Sequence, residues 1–247
     1  MIVNLLLLFF AAIIGGLLAL KFASYSGKNI KHFLVFAGAF LFSITVIHIL
    51  PELFISGTDN FKIGILVLAG FFLQQILEFF SKGAEHGHMH IHDKEHHHNY
   101  TSAILVLFAL SIHALLEGTL LAHPSDIHLQ HDSKALLTGI ALHKIPAAFA
   151  LVSILICYLP SRKQAMIYLV IFSLASPAGL LISDYLFENN YLGGEVFVML
   201  FAIVSGNFLH ISTTIVFESS PSHGFSPQRL VSSLLGAGAA IIAEQML

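Results

Sequence analysis

Charge is what this sequence has least of. Aspartate, glutamate, lysine and arginine make up 10% of its 247 residues, against about 25% in soluble domains, which excludes an ordinary water-facing surface. The net charge is −3, with no basic patch to neutralise phosphates, so nucleic acid is excluded as a partner. A single cysteine, Cys157, excludes an intrachain disulfide and a cysteine-ligated metal cluster. No HExxH pair of the metalloprotease kind is present. The amino-terminal run MIVNLLLLFFAAIIGGLLALK lacks the basic region of a cleaved signal and is long enough to cross a bilayer. It is read as a first span.

What is there is apolar: 56% of the residues are hydrophobic. A crossing helix needs roughly 20 mainly apolar residues, and runs at about 2–23, 33–55, 61–81, 100–122, 134–158, 164–187, 192–217 and 228–246 qualify. The last is the weakest, holding Gly236 and Gly238 and ending near Glu244. The expected fold is an all-α membrane protein of eight transmembrane helices, one domain over residues 1–247 with a single notable linker at 82–99. Basic residues set its orientation. Lys21, Lys28, Lys31, Lys82, Lys94, Arg162, Lys163 and Arg229 flank odd connections, while even ones hold only Lys62 and Lys134. Positive residues stay cytoplasmic, which predicts both termini outside. The even connections also carry Asp59, Asp126, Asp132, Asp184, Glu188 and Glu195, an acidic outer face that would gather cations.

Ionisable residues inside a membrane need a partner or a function. In SIHALLEGTLLAH, His113 and Glu117 stand four apart, stacked on one helical face about 6 Å from each other. The next span contains HKIPAAF, with His143, Lys144 and the helix-kinking Pro146. Counted from the span ends, His113 and His143 fall near the same depth. Two imidazoles and a carboxylate suit a borderline cation such as Zn²⁺; the competing reading is a hydrogen bond between helices. Lys144 lies too far from either end to snorkel, and burial or pairing with Glu117 would accommodate it. His48 and Glu52 in HILPE form a candidate entrance, and Ser176 with Pro177 predicts a break in the sixth span. Asn207 and His210 in SGNFLHIS, with Gln74 and Glu78, are candidates for an exit or for helix–helix contact. Residues 86–98 hold His86, His88, His90, His92, His96, His97 and His98, a metal-binding composition on the cytoplasmic side of the expected topology.

HALLEG, HKIPAAFAL, HILPE and SGNFLHIS, with the span number and the histidine-rich third connection, resemble the ZIP (Zrt/Irt-like) metal transporters over essentially the whole chain. HKxPAAF is similar to a Golgi-associated animal subfamily. The resemblance implies uptake of a divalent metal, usually zinc and sometimes iron or manganese (Fe²⁺, Mn²⁺), into the cytoplasm. His113, Glu117, Gly118, His143 and Pro146 match the family's motifs. Ala114, Lys144, Ala147 and Ser176 replace polar or acidic positions, and the acid of the seventh span is missing, with Glu218 farther along. Against the family's two-ion pattern this implies one ion, held by His113, Glu117 and His143, with Lys144 supplying the positive charge of the lost second ion.

The resulting expectation is a zinc transporter, not an enzyme, working by alternating access through a mononuclear site. Its partners are divalent ions and the lipid bilayer, with a homodimer as the candidate assembly. Its location is a plasma or inner membrane, or a Golgi-type membrane in a eukaryote. The alternatives are an intramembrane zinc-dependent hydrolase, since three ligands leave an open position, and a metal sensor that does not transport.

Overall fold

Inside lipid a backbone can satisfy its polar groups only within its own helix or in a closed barrel, and each apolar run here becomes a helix. A computed structural model describes residues 1–22, 28–81, 100–122, 133–218 and 227–246. Helix α1 is Ile2–Phe22. Helix α2 begins as Lys28–Ile44, passes through a π-helical turn at Thr45–Ile49 and ends as Leu50–Ile55. Then follow α3 (Asn60–Ser81), α4 (Tyr100–Thr119), α5 (Ser133–Tyr158) and α6 (Arg162–Glu188). Helix α7 is Gly194–Thr213, extended by a π turn at Thr214–Glu218, and α8 is Pro227–Met246. No strand occurs among the described residues. The histidine-rich stretch 86–98, and Asp126 and Asp132, lie outside them.

Among the described residues, six helices are long and apolar enough to cross a membrane: those containing Ile2–Lys21, His32–Ile55, Asn60–Phe80, Leu136–Ile156, Arg162–Glu188 and Gly194–Val216. In α4 the apolar stretch is the shorter Ala103–Thr119. Large apolar side chains such as Leu68, Phe72 and Phe79 of α3 and Ile171 and Ile182 of α6 face outward, as a lipid-facing surface requires. The break expected at Ser176–Pro177 does not occur. Helix α6 runs through Pro177 without interruption, as α5 runs through Pro146. In lipid, packing against neighbouring helices lets a helix absorb the missing proline N–H.

The closest helix pairs are not consecutive in the chain. Helix α1 lies on α5, α4 on α6, α3 on α7 and α2 on α8. Glycine makes the contact in each: Gly15 faces the carbonyl of Ile145, Gly118 that of Ser176, Gly179 that of Leu115, Gly70 that of Ile203, Gly206 that of Val67, and Gly236 that of Phe36. A Cβ at any of these positions would overlap a backbone oxygen. This is the small-residue packing of membrane helices, where apolar burial offers no drive toward association and close approach must supply it.

Helix α1 also packs on α6, and α2 on α7. The helices thereby sort into one group of α1, α4, α5 and α6 and a second of α2, α3, α7 and α8. Val106, Leu110, Phe149, Val152, Leu169 and Phe172 belong to the core of the first. The groups meet chiefly where α2 touches α5 and α3 touches α4, and there side chains fill the gap. Gly139 of α5, for example, packs against the ring of Phe40 rather than against backbone. A larger core spans this seam, joining Phe40, Leu41 and Ile44 of α2 to Leu137 and Ile140 of α5 and to Phe201 and Phe208 of α7.

Gly206→Ala should force α3 and α7 apart and lower stability in detergent by about 1–3 kcal/mol or more. Gly238→Ala, whose added methyl meets open space, should be neutral or slightly stabilising by helix propensity. Thermal unfolding of the two variants side by side checks this.

Candidate metal centre

The α4–α6 contact sets the site. Gly118 turns against α6, which leaves His113 and Glu117, one turn apart, toward α5. Behind α5, Gly15 of α1 presses on the carbonyl of Ile145 and holds the segment that carries His143 and Lys144. The result is a buried cluster: His113 is 2% exposed, and Glu117, His143 and Lys144 are 1% exposed. His113 Nε2 is 2.9 Å from Glu117 Oε1. The rings of His113 and His143 stand perpendicular, with centroids 5.9 Å apart. One ligand atom from each of His113, Glu117 and His143 lies within 4.8 Å of the others.

Lys144 completes the centre in the way pairing with Glu117 requires. Its Nζ donates to Glu117 Oε2 at 2.7 Å and sits 5.4 Å from the centroid of the Phe172 ring of α6. The two oxygens of Glu117 are divided, Oε1 toward the imidazole and Oε2 toward the ammonium. A charge out of water is tolerable only with such a partner, and each buried group here supplies one for the other. Chemically, the centre offers two nitrogens and a carboxylate oxygen, a donor set that fits Zn²⁺ and leaves a coordination position open.

The remaining candidates fall elsewhere. Ala147 is buried one turn beyond Lys144. Ser176 donates to the carbonyl of Ala114 at 2.5 Å and so ties α6 to α4. His210 and Glu78 meet at 2.6 Å, with the His210 ring edge-on to Phe71 at 4.7 Å. Gln74 and Asn207, one turn away on the same two helices, are fully buried. That polar group belongs to the α3–α7 contact. His48 Nε2 lies 3.5 Å from Glu52 Oε2, and its Nδ1 lies 2.5 Å from Glu244 Oε1 of α8. Glu244 is the residue that sequence reasoning passed over. It stood in the weakest span as a mere polar tail, although an acid inside an apolar helix was the signal.

Known proteins give these residues a context. Residues 80–244, well over half of the chain, match the family model described as ZIP Zinc transporter. The chain is 32% identical to Protein zntD of Dictyostelium discoideum over 64% of its own length and 24% of that protein's. It is 27% identical to Zinc transporter ZIP9 of Xenopus tropicalis, over 70% of this chain and 58% of the relative. With Zinc transporter ZIP9-A of Xenopus laevis it shares 28% identity, over 66% and 54%. The chain thus spans about a quarter of the first relative's length and just over half of the others'.

Removing the ammonium should expose the cost of the buried acid. Lys144→Met leaves Glu117 without its cation and is expected to destabilise the protein by about 3–5 kcal/mol. Chemical or thermal unfolding without added metal measures the loss.

Proposed function

This chain belongs to the ZIP zinc transporter family, and we propose that it carries Zn²⁺ into the cytoplasm through a single-ion site formed by His113, Glu117 and His143. The observation that carries this reading is the convergence of those three buried side chains, from two helices, within 4.8 Å. The names of the relatives make zinc the first cation to test. Fe²⁺ and Mn²⁺ accept the same donors, since selectivity among such ions rests on geometry and availability.

In this reading the chain crosses the membrane eight times with both termini outside, and α4 and α8 cross despite their shorter or less apolar stretches. The histidine-rich residues 82–99 then lie in the cytoplasm, where they receive the ion after release. Helices α4 and α5 carry the site and also touch the second helix group. A shift of one glycine-welded group against the other along the side-chain seam would open the site to one side at a time, as alternating access demands. The ion takes Glu117 Oε1 while Lys144 stays on Oε2. One carboxylate then faces a dication beside a fixed ammonium, so the ion is held loosely enough to leave. Lys144, with Ala147 and Ser176 in place of further ligands, keeps the site to one ion.

Membership of a transporter family sets the hydrolase alternative aside. A sensor that does not transport is separated by flux into sealed vesicles. In proteoliposomes the protein should accumulate Zn²⁺, and His143→Ala should remove most of that flux; equal rates in the two would sink the site assignment. Lys144→Glu is expected to raise the number of ions bound per chain from one toward two at this centre. An unchanged stoichiometry, with the loop histidines substituted to remove their contribution, would count against Lys144 as a charge replacement.

A further inference from the structure

We propose that His48 and Glu52 of α2 form a second divalent-cation site, and that Glu244 of α8 orients His48 for it without ligating the ion. The two candidate ligands stand four residues apart on one helix. Their ligand atoms, His48 Nε2 and Glu52 Oε2, are 3.5 Å apart, long for a hydrogen bond. It matches the separation of roughly 3.4 Å that tetrahedral bonds of about 2.0–2.2 Å impose on neighbouring ligands. At the central site the corresponding distance is 2.9 Å, and an ion must spread that pair.

Glu244 sits on the other side of the ring. Its Oε1 is 2.5 Å from His48 Nδ1; in the proposed site it accepts the Nδ1 proton, which turns the Nε2 lone pair to the ion. A carboxylate behind a metal-binding imidazole fixes tautomer and ring orientation and raises ligand basicity. The local backbone is also unusual. His48 falls within the π-helical turn Thr45–Ile49, between the side chain of Thr45, which donates to the carbonyl of Leu41, and Pro51 at the start of the next helical piece. Single π turns recur at functional sites because they re-aim side chains.

The place is separate from the central cluster. Gly139 of α5 packs against Phe40 of α2. His48 lies two turns beyond Phe40 in one direction, and His143 one turn beyond Gly139 in the other. At 1.5 Å per residue the two sites are roughly 18 Å apart along the helix axes. The His48 end is the end of the Lys62–Glu195 pair and of Asp59, which the transport reading places outside. His48 and Glu244 keep side-chain exposures of 12% and 29%, so an arriving ion can reach them. Two carboxylates and one imidazole converge there, from α2 and α8. The role as an outer capture point rests on the transport reading, but binding at His48 does not require flux.

The test is histidine-selective modification of the full chain by diethyl pyrocarbonate, with the His48 peptide quantified by mass spectrometry across a Zn²⁺ titration. Zn²⁺ should protect His48 in the wild type. Glu52→Gln should abolish protection, and Glu244→Gln should raise the Zn²⁺ concentration for half-protection 10–100-fold, with Glu244→Asp recovering most of the shift. His143→Ala should lose flux yet protect His48 as the wild type does. Unchanged modification of wild-type His48 up to millimolar Zn²⁺ overturns the site without recourse to any variant. Full protection in Glu52→Gln overturns Glu52 as a ligand, and an unshifted midpoint in Glu244→Gln overturns the orienting role. Loss of protection in His143→Ala would overturn the separation of the two sites.

Discussion

Apolar surface gains little by turning inward when its surroundings are already hydrocarbon, so these helices have to be held by contact at very short range. Glycine supplies that contact. Where Gly118 and Gly179 let α4 and α6 touch backbone to backbone, and Gly15 lets α1 reach the carbonyl of Ile145, the helices that bear the polar centre are fixed from two sides. Everything about the centre follows from this. A side chain's difference in spacing between α4 and α5 would part His113 from His143 and leave Glu117 facing nothing that could neutralise it.

The centre then has an electrical logic of its own. Glu117 is one acid among three nitrogen bases, and its two oxygens serve different neighbours. Lys144 is tethered, so its amine is always near. In the proposed cycle a tethered lysine and a mobile dication share one carboxylate, which keeps the pocket from being either a bare buried charge or a trap. In the proposed cycle that balance is what distinguishes passage from storage. The π turn in α2 plays a different part, rotating His48 between two acids on different helices.

Much of this was legible in the linear chain. Most helix boundaries follow from apolar runs and their punctuation, although α2 begins at Lys28, ahead of the expected 33, and α4 ends at Thr119, short of 122. That His113, Glu117 and His143 come together follows from i,i+4 spacing and from counting depth along neighbouring spans; for Lys144 the sequence left burial and pairing with Glu117 open, and the structure has both. Helix pairing was not legible, because consecutive spans invite the assumption that neighbours in sequence pack most closely. Here the closest contacts are α1 with α5, α3 with α7 and α2 with α8, chosen by glycines whose partners are backbone carbonyls with no sequence signature. The same blindness hid Glu244, which meets His48 across nearly two hundred residues. The break expected at Pro177 failed for a related reason: a proline rule drawn from helices in water overlooks the neighbours that hold a helix together in lipid.

The non-consecutive pairing has a consequence for how the molecule is made. Helix α1 leaves the ribosome well before the helix it clasps through Gly15, which is α5, and more than a hundred residues separate them. At about 5–20 residues per second of synthesis, α1 waits on the order of ten seconds in the bilayer for its partner. The wait of α2 for α8 is longer still, so neither group can close until most of the chain has been inserted. A nascent protein of this kind spends its early life as a row of unmatched helices. Its assembly is therefore sensitive to crowding in the membrane and to anything that shields glycine faces until their partners arrive.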